Sequence, residues 1–164
     1  AGWIESESDF QFYLNGASPS VARVLEHVDA ERIKVAEALG IRAISARQWL
    51  YIAYDSAGSD LYNAIRVTPG YRGIMAPTNL QMRYIHEDVP ASLVPIASIG
   101  KMLGVGTPII NSIITIASAI NQCDYWAEGR TVERLGIQNM SLRDLRLFAI
   151  GEASAIDVQD HDST

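Results

Sequence analysis

One cysteine, Cys123, stands in 164 residues, so no internal disulfide can form. That usage fits a reducing compartment and points to the cytoplasm. Histidine is nearly as scarce, with His27, His86 and His161. None has a spacing that suits zinc. His86-Glu87 opens like an HExxH motif, but Pro90 stands where the second ligand must be. Positive charge is thin and scattered: 13 Lys and Arg against 19 Asp and Glu, a net charge of −6 and a pI near 5.0. A chain with no basic face cannot neutralise phosphates, which excludes a nucleic-acid partner. The glycines form neither GxGxxG nor GxxxxGK[ST]. Gly104-Val105-Gly106 lacks the third glycine and a preceding strand, so the chain is not expected to hold a dinucleotide by itself. The opening AGWIESESDF has neither the basic flank nor the apolar run of a signal peptide. One long uncharged stretch exists, Met102 to Cys123, but Pro108, Asn111, Ser112 and Thr115 interrupt it. It reads as a buried helix rather than a membrane span.

What is present is apolar and helical. Hydrophobic residues make up 48% and charged residues 20%, the balance of a packed domain. Ser18-Pro19 is a helix start, with Val21, Val24, Leu25 and Val28 on one face. Asp29 reads as the cap of a second segment, which Gly40 ends. Ser45 caps a stretch through Trp49, Leu50 and Ile52, and Asp60 to Arg66 is a shorter helical piece. Residues 67–79 form a loop built on Pro69-Gly70, Gly73 and Pro77. Thr78 or Asn79 is expected to cap the next helix, and Pro90 to end it near Glu87 or Asp88. A new helix follows, with Pro95 as a potential kink. Thr107-Pro108 repeats the cap-then-proline signal before an isoleucine-rich helix expected to be buried on several sides. Thr131 to Leu135 is read as a short helix, and Ser141 caps the last one. The tail from residue 152 is polar, acidic and expected to be mobile. The fold class is all-α, a compact multi-helix bundle of about eight or nine helices.

Residues 83–90, RYIHEDVP, gather a cation, a ring, an imidazole and two carboxylates in one short run. Arg83 and Glu87, four apart, can pair along a helix. Arg83 and Asp88 are five apart, so an unbroken helix splays them by about 140°. A break before Pro90 would redirect Asp88 so that both face one cavity. Arg83 could then grip a carboxylate through two hydrogen bonds, and Asp88 could orient a histidine that shuttles a proton. The plain alternative is a surface Arg–Glu pair and an aspartate at a helix end.

RYIHEDVPASLVP resembles the RYxxEDVPxxLVP signature of the opine (octopine/nopaline) dehydrogenase family, in its C-terminal helical domain. FYLNGASPSVARVLEHVDAERIKVAEALG, VGTPIINSIITIAS and the closing run from Asp124 through GRTVERLGI to SLRDL are similar to that family too. Together they cover nearly all of residues 10–151 in order. The resemblance implies a reductive condensation of an amino acid with a 2-oxo acid, using NAD or NADP. It implies a helical substrate-binding and dimerising domain over residues 1–151, of the 6-phosphogluconate-dehydrogenase-like type. An N-terminal Rossmann domain, absent from this chain, would bind the nucleotide and carry the catalytic histidine. It places the family's arginine on Arg83, as a substrate-holding and catalytic residue, and its aspartate on Asp88, as the partner of that histidine. Tyr84 and Glu87 become substrate-binding candidates. His86 falls at a variable signature position and takes no catalytic role.

Two other readings stay open. Other hydroxyacid-type dehydrogenases also pair a Rossmann domain with a helical one, but they place a lysine by the reacting carbonyl. Lys34 and Lys101, the two lysines here, sit in no such signature. A non-catalytic assembly module would use the apolar helix at 108–120 as a dimer face. Trp49 and Tyr71 could line a pocket, and Asn111 could meet a substrate or a partner, though core packing explains aromatics and buried amides more simply.

Overall fold

A computed structural model describes residues 1–81 and 83–152. Among these residues the regular structure is helical, and the sole pairing of strand type is an isolated antiparallel bridge between Gln11 and Met75. The all-α expectation holds. Nine α-helices run in chain order: α1 (Gly2–Glu5), α2 (Pro19–Ala38), α3 (Ala46–Tyr54), α4 (Leu61–Val67), α5 (Arg83–Asp88), α6 (Val94–Met102), α7 (Pro108–Asn121), α8 (Tyr125–Glu128) and α9 (Leu142–Ala149). Of the tail expected to be mobile, residues 152–164, all but Glu152 lie outside the described part of the chain.

Local caps fall where the sequence puts them. The Ser18 hydroxyl accepts from the Val21 N–H, Asp60 from Asn63, and Ser141 from Asp144. Ser45 and Gln48 form a reciprocal capping box at the start of α3. Asp29 does something else. Residues 19–38 form one unbroken helix, and Asp29 sits inside it. Its carboxylate reaches across to the first N–H of α3, at Ala46 (2.8 Å), while pairing with Arg32 (2.7 Å). Two further acids of α2 act likewise. Glu26 accepts from Leu61 at the start of α4 (2.9 Å). Glu31, only 7% exposed, takes the N–H groups of Ile109 and Ile110 on its two oxygens, both at 2.9 Å. The α2 helix therefore pins the N-termini of α3, α4 and α7. Each pin satisfies orphan backbone donors and puts negative charge at the positive end of a helix dipole. Thr107, expected to cap α7, is buried and makes no cap bond to it.

Three apolar clusters fill the interior. Val89, Val94, Ala97, Ile110, Ile114, Ala117 and Tyr125 join α6, α7 and α8. Ala17, Leu50, Leu61, Ala64 and Ile65 join α3 and α4. Val132, Ile137 and Met140 pack on Ile99, Met102 and Leu145. The α7 helix buries one side, through Ile110, Ile114 and Ala117, whereas Ile116 is 59% exposed and Ile120 42%. The expectation of burial on several sides is corrected: the isoleucine excess lies on a free face. Thr131 to Leu135 is a run of turns rather than a helix, closed by Gly136 at φ +69°. No helix among the described residues is long and apolar enough to cross a membrane.

Candidate active-site face

The signature segment begins its helix at Arg83, too far along for Thr78 or Asn79 to cap it. It does not break at Pro90. Asp88 keeps helical dihedrals (φ −70°, ψ −34°), and residues Val89–Leu93 widen into a π-turn that runs directly into α6. The reason lies in two prolines. A tight α-turn would drive the Pro90 ring into the carbonyl four residues back, and neither Pro90 nor Pro95 has an N–H to give. In the wide turn the Val94 N–H bonds to Val89 O, one residue further back than in an α-turn. The Pro90 carbonyl then faces Pro95, which cannot donate, and takes the Arg130 N–H instead (2.9 Å). The proline pair thus docks the segment after α8 onto the signature helix. Gly129 makes that approach possible, since a Cβ there would sit 2.6 Å from both Tyr125 O and Val94 Cγ1.

An unbroken helix fixes where each candidate points. At 100° per residue, Arg83, Glu87, Tyr84 and Asp88 fall at about 0°, 40°, 100° and 140° around the α5 axis. They share one arc, and all four are exposed. Ile85 lies on the opposite side against the core cluster. The redirection of Asp88 expected from a helix break does not occur. Arg83 and Asp88 bound the two edges of one exposed face, and no bond joins them among the described residues. Arg83 instead pairs with Glu87, Nε to Oε2 at 3.1 Å. Both partners are mostly exposed, so the pair orients more than it stabilises.

The flanks of this arc are held by rings that the sequence did not single out. Tyr84 stacks on Phe12, with ring centroids 6.0 Å apart and planes at 30°. His86 reaches the other way: its Nδ1 lies 3.0 Å from the Tyr125 hydroxyl and its Nε2 3.1 Å from Gln81 Oε1. Tyr125 is 1% exposed, and burial is the main reason that its phenol is pushed up to about 12. Its hydroxyl therefore stays protonated and able to donate. Phe12 also begins an aromatic row through Tyr13 and Tyr71, stacked at 3.8 Å, to Tyr54 and Trp49. Burial is the leading cause of the raised phenol pKa values of Tyr13 and Tyr71. Phe12 further lines an apolar hollow of about 780 Å³ with Trp3, Phe10, Val21 and Leu25. The Val21–Leu25 face of α2 is thus turned toward this hollow and half exposed. Lys101 and Asn111 border a separate hollow near Gly104–Gly106, away from α5.

That glycine loop leads into α7, the nearest thing here to a phosphate-binding helix start. Its N–H groups at Ile109 and Ile110 are already occupied by the Glu31 carboxylate, which would repel a pyrophosphate. The described residues therefore do not fit a dinucleotide at this helix start. Among them, no group of His, Cys, Asp and Glu could hold a metal ion.

The described residues thus form an all-α domain that presents an exposed, ring-clamped RYxxED helix. Comparison with known proteins makes this specific. Residues 1–121 match the family described as NAD/NADP octopine/nopaline dehydrogenase, alpha-helical domain, and the chain belongs to that family. It is 39% identical over 146 residues to an opine dehydrogenase of Arthrobacter sp. (strain 1C), covering 89% of this chain and 41% of that protein. It is 31% identical over 115 residues to a D-nopaline dehydrogenase of Agrobacterium tumefaciens (strain T37), covering 70% of this chain and 28% of that one. The fold is shared with octopine dehydrogenase solved with NADH and L-arginine, at a TM-score of 0.68 and 22% identity over 82% of this chain and 40% of that one. The same enzyme with NADH and agmatine gives 0.67 at 22% identity, over 81% and 40%. The chain thus spans about two fifths of the length of the first of these relatives.

Proposed function

We propose that this chain is the substrate-binding and dimer-forming helical domain of an NAD(P)H-dependent opine dehydrogenase, which reductively condenses an amino acid with a 2-oxo acid. The observation that carries the reading is the single exposed arc of α5, which presents Arg83, Glu87, Tyr84 and Asp88 to an incoming partner. Glu87 engages the Nε edge of Arg83, which leaves the two terminal NH2 groups as a fork for a substrate carboxylate. Tyr84, braced on Phe12, offers a ring beside that carboxylate. Asp88, at the far edge, meets a histidine from a second domain, holds its tautomer and stabilises its charged form. In this reading the dinucleotide is bound by an N-terminal Rossmann domain that meets this face, and the Glu31 carboxylate filling the α7 helix start agrees with that. The free Ile116–Ile120 side of α7 is the candidate homodimer surface. Cytoplasmic operation agrees with the lone, unpaired Cys123.

The test joins this chain to a nucleotide-binding domain of the family and follows NAD(P)H oxidation with pyruvate and a set of amino acids. Oxidation that needs both substrates supports the reading. Oxidation with the oxo acid alone would indicate a hydroxyacid-type dehydrogenase instead.

A further inference from the structure

The α5 helix has six residues and none is fully buried, so beyond its continuous backbone and Ile85 on the core, it is held by side-chain contacts at its flanks. Its backbone is continuous with α6 on one side, through a π-turn that is wider than ordinary helix. Beyond the neighbouring Gln81, it makes one side-chain hydrogen bond to the rest of the fold among the described residues, between His86 and Tyr125. Tyr125 is the largest fully buried side chain described, and a buried hydroxyl needs a partner; Cys123 and Asn121 border it, and it shares a hydrogen bond of 3.0 Å with His86. The polarity of the contact follows from its neighbours. Gln81 Oε1 accepts, so the neutral imidazole of His86 places its hydrogen on Nε2, and its Nδ1 lone pair can then take the Tyr125 O–H. His86 falls at about 300° around α5, just beside Arg83, while Tyr84 lies at about 100° on the far side of Arg83 and Glu87. The arc is therefore gripped at both flanks, by Tyr125 through His86 and by Phe12 through Tyr84.

We propose that Tyr125 and His86 are positioning residues for this reaction: their hydrogen bond steadies the Arg83 flank of α5 and so the aim of Arg83 at the substrate carboxylate. This rests on the carboxylate-binding role of Arg83 stated above. Neither residue touches substrate. The anchor is firm because Tyr125 is buried in one core cluster with Val94 and its carbonyl takes the Gly129 N–H at 2.8 Å.

The test uses the complete enzyme, this chain with its nucleotide-binding domain. KM for the 2-oxo acid and kcat are measured for Tyr125→Phe, His86→Leu, His86→Asn and, as a site control, Arg83→Lys. Loss of one positioning bond is expected to raise KM about fivefold in Tyr125→Phe and His86→Leu. His86→Asn, whose amide oxygen can take the place of Nδ1, is expected to stay within about twofold. In the 164-residue chain, ring 15N shifts of His86 should report the Nε2–H tautomer, and Tyr125→Phe should shift them toward a mixture. If Arg83→Lys raises KM while Tyr125→Phe and His86→Leu do not, the positioning role is wrong and the site stands. If Arg83→Lys leaves KM unchanged, the site reading fails and the positioning role falls with it. A His86 ring spectrum indifferent to Tyr125→Phe removes the hydrogen bond itself.

Discussion

Replacing Glu31 with glutamine removes one oxygen and one charge from a site that is almost sealed. In the native chain each carboxylate oxygen accepts one α7 N–H at 2.9 Å. A glutamine keeps one acceptor and turns its NH2 toward the other N–H, so one donor is left buried against another. A hydrogen bond to a charged group contributes about 1.5–3 kcal/mol, and the interaction with the helix dipole adds up to about 1 kcal/mol. The expected loss is about 3 kcal/mol for Glu31→Gln. With an unfolding entropy of roughly 2 cal/mol/K per residue, that loss is a fall in Tm of about 9 °C. The assay is urea unfolding followed by circular dichroism. Glu37→Gln serves as control, because Glu37 is exposed on the same helix and loses the same charge. A Glu31→Gln loss below about 0.5 kcal/mol, or one equal to that of Glu37→Gln, would refute the claim that α2 pins α7 through this carboxylate.

Alkaline titration should expose Tyr125. Its folded phenol lies at about 12 against an ordinary 10.0, so the folded state holds the proton longer. The stabilisation is complete below pH 10 and lost as pH rises toward 12, by about 2 kcal/mol at pH 11.5. Tyr125→Phe should flatten this part of the stability curve, measured by urea unfolding between pH 9 and 11.5, and an unchanged slope would count against the burial argument. Gly129→Ala should cost about 2 kcal/mol, because the new methyl meets both the fixed Tyr125 carbonyl and the fully buried Val94. A variant as stable as the native chain would mean that the 129–130 segment can move off the π-turn at no cost.

What the sequence showed and what it hid divide by range. Ser18, Ser45, Asp60 and Ser141 act within three residues, so their caps could be read directly from spacing. Asp29, Glu26 and Glu31 act across 17, 35 and 78 residues, and a lone acid within a helical run gives no local sign of that. Pro90 promised a break because single prolines break α-helices. The second proline at 95 lets a π-turn absorb both, and the helix continues. The signature picked out Arg83 and Asp88, and the expected break before Pro90 would have turned both into one cavity. Helical geometry places them instead at the two edges of one face. His86 could have been suspected from its place on the flank of the helix wheel, beside Ile85. Nothing in the sequence pattern points to its partner Tyr125, 39 residues away.

The central claim is that the exposed arc of α5 is the reaction face. The direct measurement is the steady-state kinetics of Asp88→Asn in the enzyme assembled with its nucleotide domain, beside Arg83→Lys. Losing the carboxylate that steers a proton-shuttling histidine should lower kcat by about a hundredfold or more. The Arg83 change should act mainly on KM for the carboxylate substrates. An Asp88→Asn enzyme that turns over within twofold of the parent would contradict the account.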